Sequence, residues 1–170
     1  MSIETPSGKG ASDENFPVGS FLLPKHLRPH IARFYAFARA IDDIADNPDL
    51  PSAEKSKRLT IMDDVVSGKT FDASGLEVAI SMRESLVETG ITTQHCSDLV
   101  DAFQQDVVKN RYDDWDEVIG YCMRSASPVG RYLLDLHGES DREYVYSDAL
   151  CNALQVINHL QDCGKDYTEM

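Results

Sequence analysis

From about residue 30 onward, apolar side chains in this chain recur at steps of three and four, and alternation with period two is almost absent. A strand needs that alternation to bury one face, whereas a helix needs the longer step, so the pattern predicts an all-α protein. Pro24 and Pro29 mark the entry to a first long helix, about residues 30–46, which Asn47-Pro48-Asp49-Leu50-Pro51 ends. Ser52 is placed to cap a second helix running to Ser67-Gly68, and Gly90 stands at the closing position of a third that starts near Leu76. Thr92 or Thr93 opens a fourth, to about Tyr112, and Asp114 a fifth, from Trp115 to about Ala126. Ser127-Pro128-Val129-Gly130 interrupts before the pattern resumes through His137-Gly138. Ser140-Asp-Arg-Glu143 has capping-box spacing and opens a last helix, expected to carry Leu150, Leu154, Ile157 and Leu160 inward. Trp115, with Val118 and Ile119, reads as a core anchor. Residues 1–14 show no such pattern and read as a disordered tail ahead of one domain, residues 15–170, without internal repeats or linkers.

Charge and length narrow the function. A chain of 170 residues can hold a core without disulfide or metal staples. Its 29 acidic and 16 basic side chains leave a net charge of −13 and no basic cluster, which argues against nucleic acid as a partner. The same acidity argues against electrostatic docking on anionic lipid, though not against peripheral contact of an apolar patch with the inner face of a membrane. No apolar run approaches the ~18 residues of a membrane span, and Met1–Glu14 has neither the basic nor the apolar region of a secretory signal, so a cytoplasmic location is expected. Cys96, Cys122, Cys151 and Cys163 form no metal-binding or redox spacing and read as reduced core thiols. His26, His30, His95, His137 and His159 are scattered and read as surface or interface residues. The Glu-x-x-His pattern of di-iron bundles, HExxH, GxSxG, the P-loop and the EF-hand loop are all missing. No sequence feature specifies an oligomeric state.

Two aspartate clusters stand out against this background. At about 100° per residue, Asp42 and Asp46 lie one above the other, and Arg39 and Tyr35 continue the stripe. Phe34, Phe37, Ala38, Ile41, Ile44 and Ala45 fill most of the remaining circumference, so these carboxylates face either a narrow solvent strip or an internal polar cavity. On the last helix Gln155, Asn158, Asp162 and Asp166 fall at steps of three and four and form a second polar line. A solvated helix face is the simplest account of either line alone, and Asp63-Asp64 and Asp113-Asp114 read as surface or capping acids. Two lines on apolar helices suggest one shared site, because clustered carboxylates need a compensating cation. Their hard oxygens suit Mg²⁺, which keeps several waters and completes its shell with phosphate oxygens. A diphosphate held through Mg²⁺ is the ligand this chemistry expects.

At Phe34-Tyr-Ala-Phe-Ala-Arg-Ala-Ile-Asp-Asp-Ile-Ala-Asp46 and Asn158-His-Leu-Gln-Asp-Cys-Gly-Lys-Asp166 the chain resembles the squalene/phytoene synthase family of head-to-head isoprenoid synthases. Tyr121-Cys-Met-Arg-Ser-Ala-Ser-Pro-Val-Gly130 resembles that family's intervening segment, with Ser-Pro where Ala-Gly is more common. Asn15-Phe16, Gln161, Lys165 and Glu14-Asn-Phe-Pro-Val-Gly-Ser20 resemble the hydroxysqualene synthases of bacterial hopanoid pathways within it.

The resemblance implies an isoprenoid synthase helical bundle around a central cavity. It also implies a Mg²⁺-dependent enzyme that ionises presqualene diphosphate and quenches the cation with water to give hydroxysqualene. Asp42, Asp43, Asp46, Asp162 and Asp166 would be the metal set, Asp43 ranking lower because it points away from Asp42. Arg39 and Tyr35 would contact the diphosphate or orient the carboxylates. Phe34, Phe37, Phe103 and Tyr121 are candidates to line the hydrocarbon cavity, Tyr121 matching the family's reactive-site tyrosine. Gln155 and Asn158 would bind waters, ligands or the quenching water. Two alternatives stand beside this: a squalene or phytoene synthase using prenyl diphosphates such as farnesyl diphosphate, and a non-catalytic assembly relative, a kind that tends to lose motif aspartates. The family's domain continues past its second aspartate motif, so a chain with Met170 last is expected to represent the N-terminal part and to expose apolar helix faces.

Overall fold

The computed structural model describes residues 3, 23–70, 75–109 and 111–169, with side chains as far as residue 161. The expected tail, the Asn15-Phe16 segment, Cys163 and the Asp162 and Asp166 side chains therefore lie outside the described residues. All regular structure among the described residues is helical, and the chain divides into two compact units, Met1–Asn110 and Arg111–Met170.

The first unit contains α1 (Arg28–Asp46), α2 (Ser52–Val66), α3 (Glu77–Thr89) and α4 (Gln94–Asp106). Helix α1 packs against the other three. Phe37, Ile41 and Ile44 of α1, Leu59, Met62 and Val66 of α2 and Met82 of α3 are fully buried, so the three-and-four spacing seen in the sequence is the core itself. His30 Nδ1 lies 2.8 Å from Ser85 Oγ, joining α1 to α3. Gly90 closes α3 with φ +71°, a left-handed conformation that glycine adopts without a Cβ clash.

Three expectations need correction here. Ser52 is not the cap of α2: Pro51 holds that position and no side chain caps the end. Helix α4 stops at Asp106, because the Gln105 carbonyl accepts from both Val108 and Lys109 amides in a terminal turn. The β-branched pair Val107-Val108 that follows is a poor helix former. His95 is no surface residue; at 4% exposure it lies inside the unit, on the same face of α4 as Leu99 and Ala102.

The second unit contains α5 (Trp115–Ser125), α6 (Ser127–Leu136), a 3₁₀ turn (Asp141–Glu143) and α7 (Tyr144–Glu169). Asp114 caps α5 by accepting from the Glu117 amide at 2.9 Å, and the Glu117 carboxylate accepts from the Asp113 amide at 2.8 Å. Helices α6 and α7 pack together. Arg131 joins them through two hydrogen bonds to Asp148, at 2.8 and 2.6 Å. The Tyr144 hydroxyl donates to Asp135 at 2.5 Å. Gly130 of α6 has no room for a side chain: a Cβ there would clash with Ser147 Oγ and stand 2.7 Å from Cys151 Sγ on α7.

The inward face of α7 is not the one expected. Leu150, Leu154, Ile157 and Leu160 are exposed at 62%, 51%, 48% and 66%. The half-buried stripe is Asp148, Cys151, Asn152, Gln155, Val156 and His159, itself spaced at threes and fours. Polar partners on α6 select that face: Arg131 takes Asp148, and Ser127 Oγ donates to Asn152 Oδ1 at 3.0 Å. Trp115, at 61% exposure, is likewise no core anchor; it occupies the first turn of α5, ahead of the buried Tyr121 and Cys122. No helix among the described residues is long and apolar enough to cross a membrane.

Candidate functional site

Two groups of candidate side chains are positioned by the fold, one in each unit. The first occupies the last turns of α1. Burial of Phe34 and Phe37, at 4% and 0% exposure, sets the rotation of the helix, and Phe103 of α4 and Tyr35 of α1 are half-buried. Arg39 then reaches toward the C-terminus and pairs with both neighbouring carboxylates, Asp42 at 2.7 Å and Asp43 at 3.0 Å. Asp43 is the more buried, its side chain 6% exposed against 27% for Asp42. The 100° argument ranked Asp43 lower, yet Arg39 gathers both aspartates into one cluster. A guanidinium has enough donors to serve two carboxylates at once, which offsets the cost of burying the Asp43 charge. Asp46 is exposed at the last position of the helix.

The C-terminus of α1 is electrostatically unbalanced. Aligned peptide dipoles place partial negative charge at that end, and no basic residue of α1 lies in its last turn. Lys55 of α2 supplies part of the compensation by donating to the Ala45 carbonyl at 2.6 Å. Asp42 and Asp43 are paired with Arg39, and Asp46 is exposed at the end of the same helix. Short carboxylates at a negative helix end are a donor set for a hard, oxygen-seeking cation that keeps waters and shares a phosphate. Among the described residues no three or more His, Cys, Asp or Glu side chains are gathered closely enough to hold a metal by themselves.

The second group lies in the Arg111–Met170 unit. Tyr121 of α5, 6% exposed, has its ring centroid 5.6 Å from Tyr112 and 5.8 Å from His159 of α7. His159 meets both tyrosines edge to face, at 83° and 84°, the Tyr112 contact being 6.5 Å. Gln155 Nε2 lies 3.3 Å from His159 Nε2. Asn158 is exposed. Sequence reasoning picked out Tyr121 and Gln155 but missed Tyr112 and His159. Tyr112 precedes its helix, so no periodicity could place it, whereas the i, i+4 relation of Gln155 and His159 was available as a signal.

Among the described cysteines, Cys96 and Cys122 are buried and Cys151 is half-buried. Cys96, Cys122 and Cys151 are free thiols. Burial pushes the thiol pKa of all three above the usual range, which keeps them protonated and unreactive. Asp63 accepts from Lys69 at 2.8 Å and from Ser97 at 2.5 Å, a structural role like the cap of Asp114.

The family model for squalene/phytoene synthase matches residues 10–170. The hydroxysqualene synthase of Zymomonas mobilis is 51% identical over 96% of this chain and 55% of its own length. That of Rhodopseudomonas palustris is 48% identical over 96% of this chain and 55% of its own length. The chain thus spans about half the length of these curated relatives. Among solved structures, squalene synthase HpnC from Alicyclobacillus acidocaldarius superposes with a TM-score of 0.77 at 31% identity, over 93% of this chain and 60% of that one.

Proposed function

The chain belongs to the squalene/phytoene synthase family, and on that premise we propose that it takes part in Mg²⁺-dependent conversion of presqualene diphosphate to hydroxysqualene and diphosphate. The observation that carries this reading is the high identity to hydroxysqualene synthases over nearly the whole chain. The bond broken is the one between the cyclopropylcarbinyl carbon and the diphosphate oxygen, whose electron pair leaves with diphosphate. The bond formed joins the resulting carbocation to a water oxygen.

Asp42 and Asp46, with Asp43 beside them, are the residues of the first unit that would hold Mg²⁺, and Asp162 and Asp166 of the second aspartate motif are the further candidates that the family resemblance implies. When bound, the metal supplies Lewis-acid neutralisation of charge on the departing diphosphate. Arg39 fixes the orientation of Asp42 and Asp43 and adds positive charge beside the leaving group. Tyr35, one turn earlier, lies on the same stripe. Phe37 is fully buried and belongs to the helical core, Phe34 and Phe103 remain the aromatic candidates for a hydrocarbon wall, and Tyr121 is the candidate to stabilise the cation. Gln155 and Asn158 supply neutral hydrogen-bonding groups for water. An apolar product and the exposed leucine face of α7 support work at the apolar edge of a membrane.

A second reading, squalene synthesis, draws on the name of the solved structural neighbour, though at lower identity. Incubation with presqualene diphosphate and Mg²⁺, with and without NADPH, separates the two. Hydroxysqualene in both cases supports the first reading, and squalene formed only with NADPH supports the second. Retention of all five motif aspartates argues against a non-catalytic assembly role. That role would be supported by the absence of diphosphate release under either condition.

A further inference from the structure

The Gln155–His159 pair and the two tyrosine rings are one constellation within one compact unit, and the reaction proposed above uses only parts of it. A carbocation captured by water needs two things at the same place. It needs π faces that stabilise positive charge without reacting, and a neutral hydrogen-bonding group that holds one water in a fixed direction. Tyr121 and Tyr112 provide the faces. Gln155 Nε2 lies 3.3 Å from His159 Nε2, and with the carboxamide in this orientation its nitrogen donates to the imidazole. This contact fixes the plane of the Gln155 carboxamide, whose oxygen is a neutral acceptor of the kind that can hold a water. The imidazole ring is in turn held edge to face by both tyrosines.

We infer that His159 is a positioning residue that determines how the carbocation is quenched, acting through Gln155 and the tyrosine pair. The inference rests on the synthase reading above. In the step it governs, the oxygen lone pair of water forms a C–O bond with the cation, and the proton released from that oxygen passes to the diphosphate set free in the ionisation. Without an oriented water, the cation instead loses a proton from an adjacent carbon to the same acceptor, and a hydrocarbon replaces the alcohol.

The test uses the full chain with presqualene diphosphate and Mg²⁺ and measures neutral products by gas chromatography and mass spectrometry, per diphosphate released. Loss of folded protein changes the amount of product but not its composition. His159→Phe keeps an aromatic ring and removes the acceptor. The ratio of alcohol to hydrocarbon should fall severalfold, up to about tenfold, as expected for one lost hydrogen bond between half-buried groups. Gln155→Leu should shift the ratio in the same direction and decides the matter if His159→Phe does not fold. His159→Gln, which restores an acceptor without the ring, should recover part of the alcohol. An unchanged ratio in both His159→Phe and Gln155→Leu, with hydroxysqualene still formed, overturns this inference and leaves the synthase reading standing. Absence of hydroxysqualene from the wild-type reaction overturns both.

Discussion

Replacing Gly130 by alanine tests the packing of α6 on α7 with a single methyl group. Its Cβ would stand 2.7 Å from Cys151 Sγ and clash more severely with Ser147 Oγ. Neither neighbour moves without loss, because the Cys151 thiol is hydrogen-bonded to Ser147 and to the Gly130 backbone. Overpacking of this kind costs about 1–3 kcal/mol. The gain in helix propensity from Gly to Ala offsets about 1 kcal/mol of it. The net expectation is a destabilisation of about 1 kcal/mol, or a fall in Tm of roughly 2–4 °C for a chain of this size. Gly120, on α5, is the internal control, since a Cβ there meets nothing within 4 Å. Gly120→Ala should therefore stabilise by up to about 1 kcal/mol, from propensity alone. Urea denaturation followed by circular dichroism reads both variants, and Cys151→Ala combined with Gly130→Ala should recover part of the loss. Equal stability of the two single variants would refute the close approach of α6 and α7.

Asp42→Asn should leave helical content intact while lowering Mg²⁺-dependent diphosphate release by about 100-fold or more, as loss of a ligand to a Lewis acid would; unchanged turnover would remove Asp42 from the metal set. Tyr144 should give the fold an alkaline limit. Burial first, and the hydrogen bond to Asp135 second, raise its pKa from an ordinary 10.0 to about 12. The folded state therefore retains the phenolic proton where the unfolded state has lost it, so this stabilisation is complete below about pH 10 and is lost as pH rises toward 12. Urea midpoints measured across that window should fall less steeply in Tyr144→Phe than in the wild type, and parallel slopes would contradict the assignment. The leucine face of α7 should bind a hydrophobicity-reporting dye strongly, and Leu154→Glu with Ile157→Glu should reduce that binding severalfold. A dye-silent wild-type chain would mean the face is covered.

The helices were legible wherever periodicity coincided with a punctuating residue. Gly90 and Asp114 act as the sequence implied, one closing α3 and the other capping α5. The turn after Asp106 was not legible, because what ends α4 is competition among backbone amides for the Gln105 carbonyl rather than a proline or glycine. Helix α7 shows the deeper limit. Its sequence carries two stripes at helical spacing, and hydrophobicity alone favours the leucines. The choice is made by Arg131 and Ser127 on α6, which need Asp148 and Asn152 opposite them. Of the candidate site, the Arg39-Asp42 stripe follows from helical geometry. The capture of Asp43 by the same guanidinium does not, because it depends on side-chain reach. Tyr112 and His159 join Tyr121 through tertiary contacts, and only the Gln155–His159 step of four was open to a local reading.

The central claim is that the chain's chemistry ends in addition of water to a carbocation derived from presqualene diphosphate. Running the Mg²⁺-dependent reaction in heavy-oxygen water and examining the neutral product by mass spectrometry tests it directly. The account predicts hydroxysqualene whose hydroxyl carries the solvent's heavy oxygen. Squalene or phytoene in place of the alcohol, or an alcohol without the label, would contradict it.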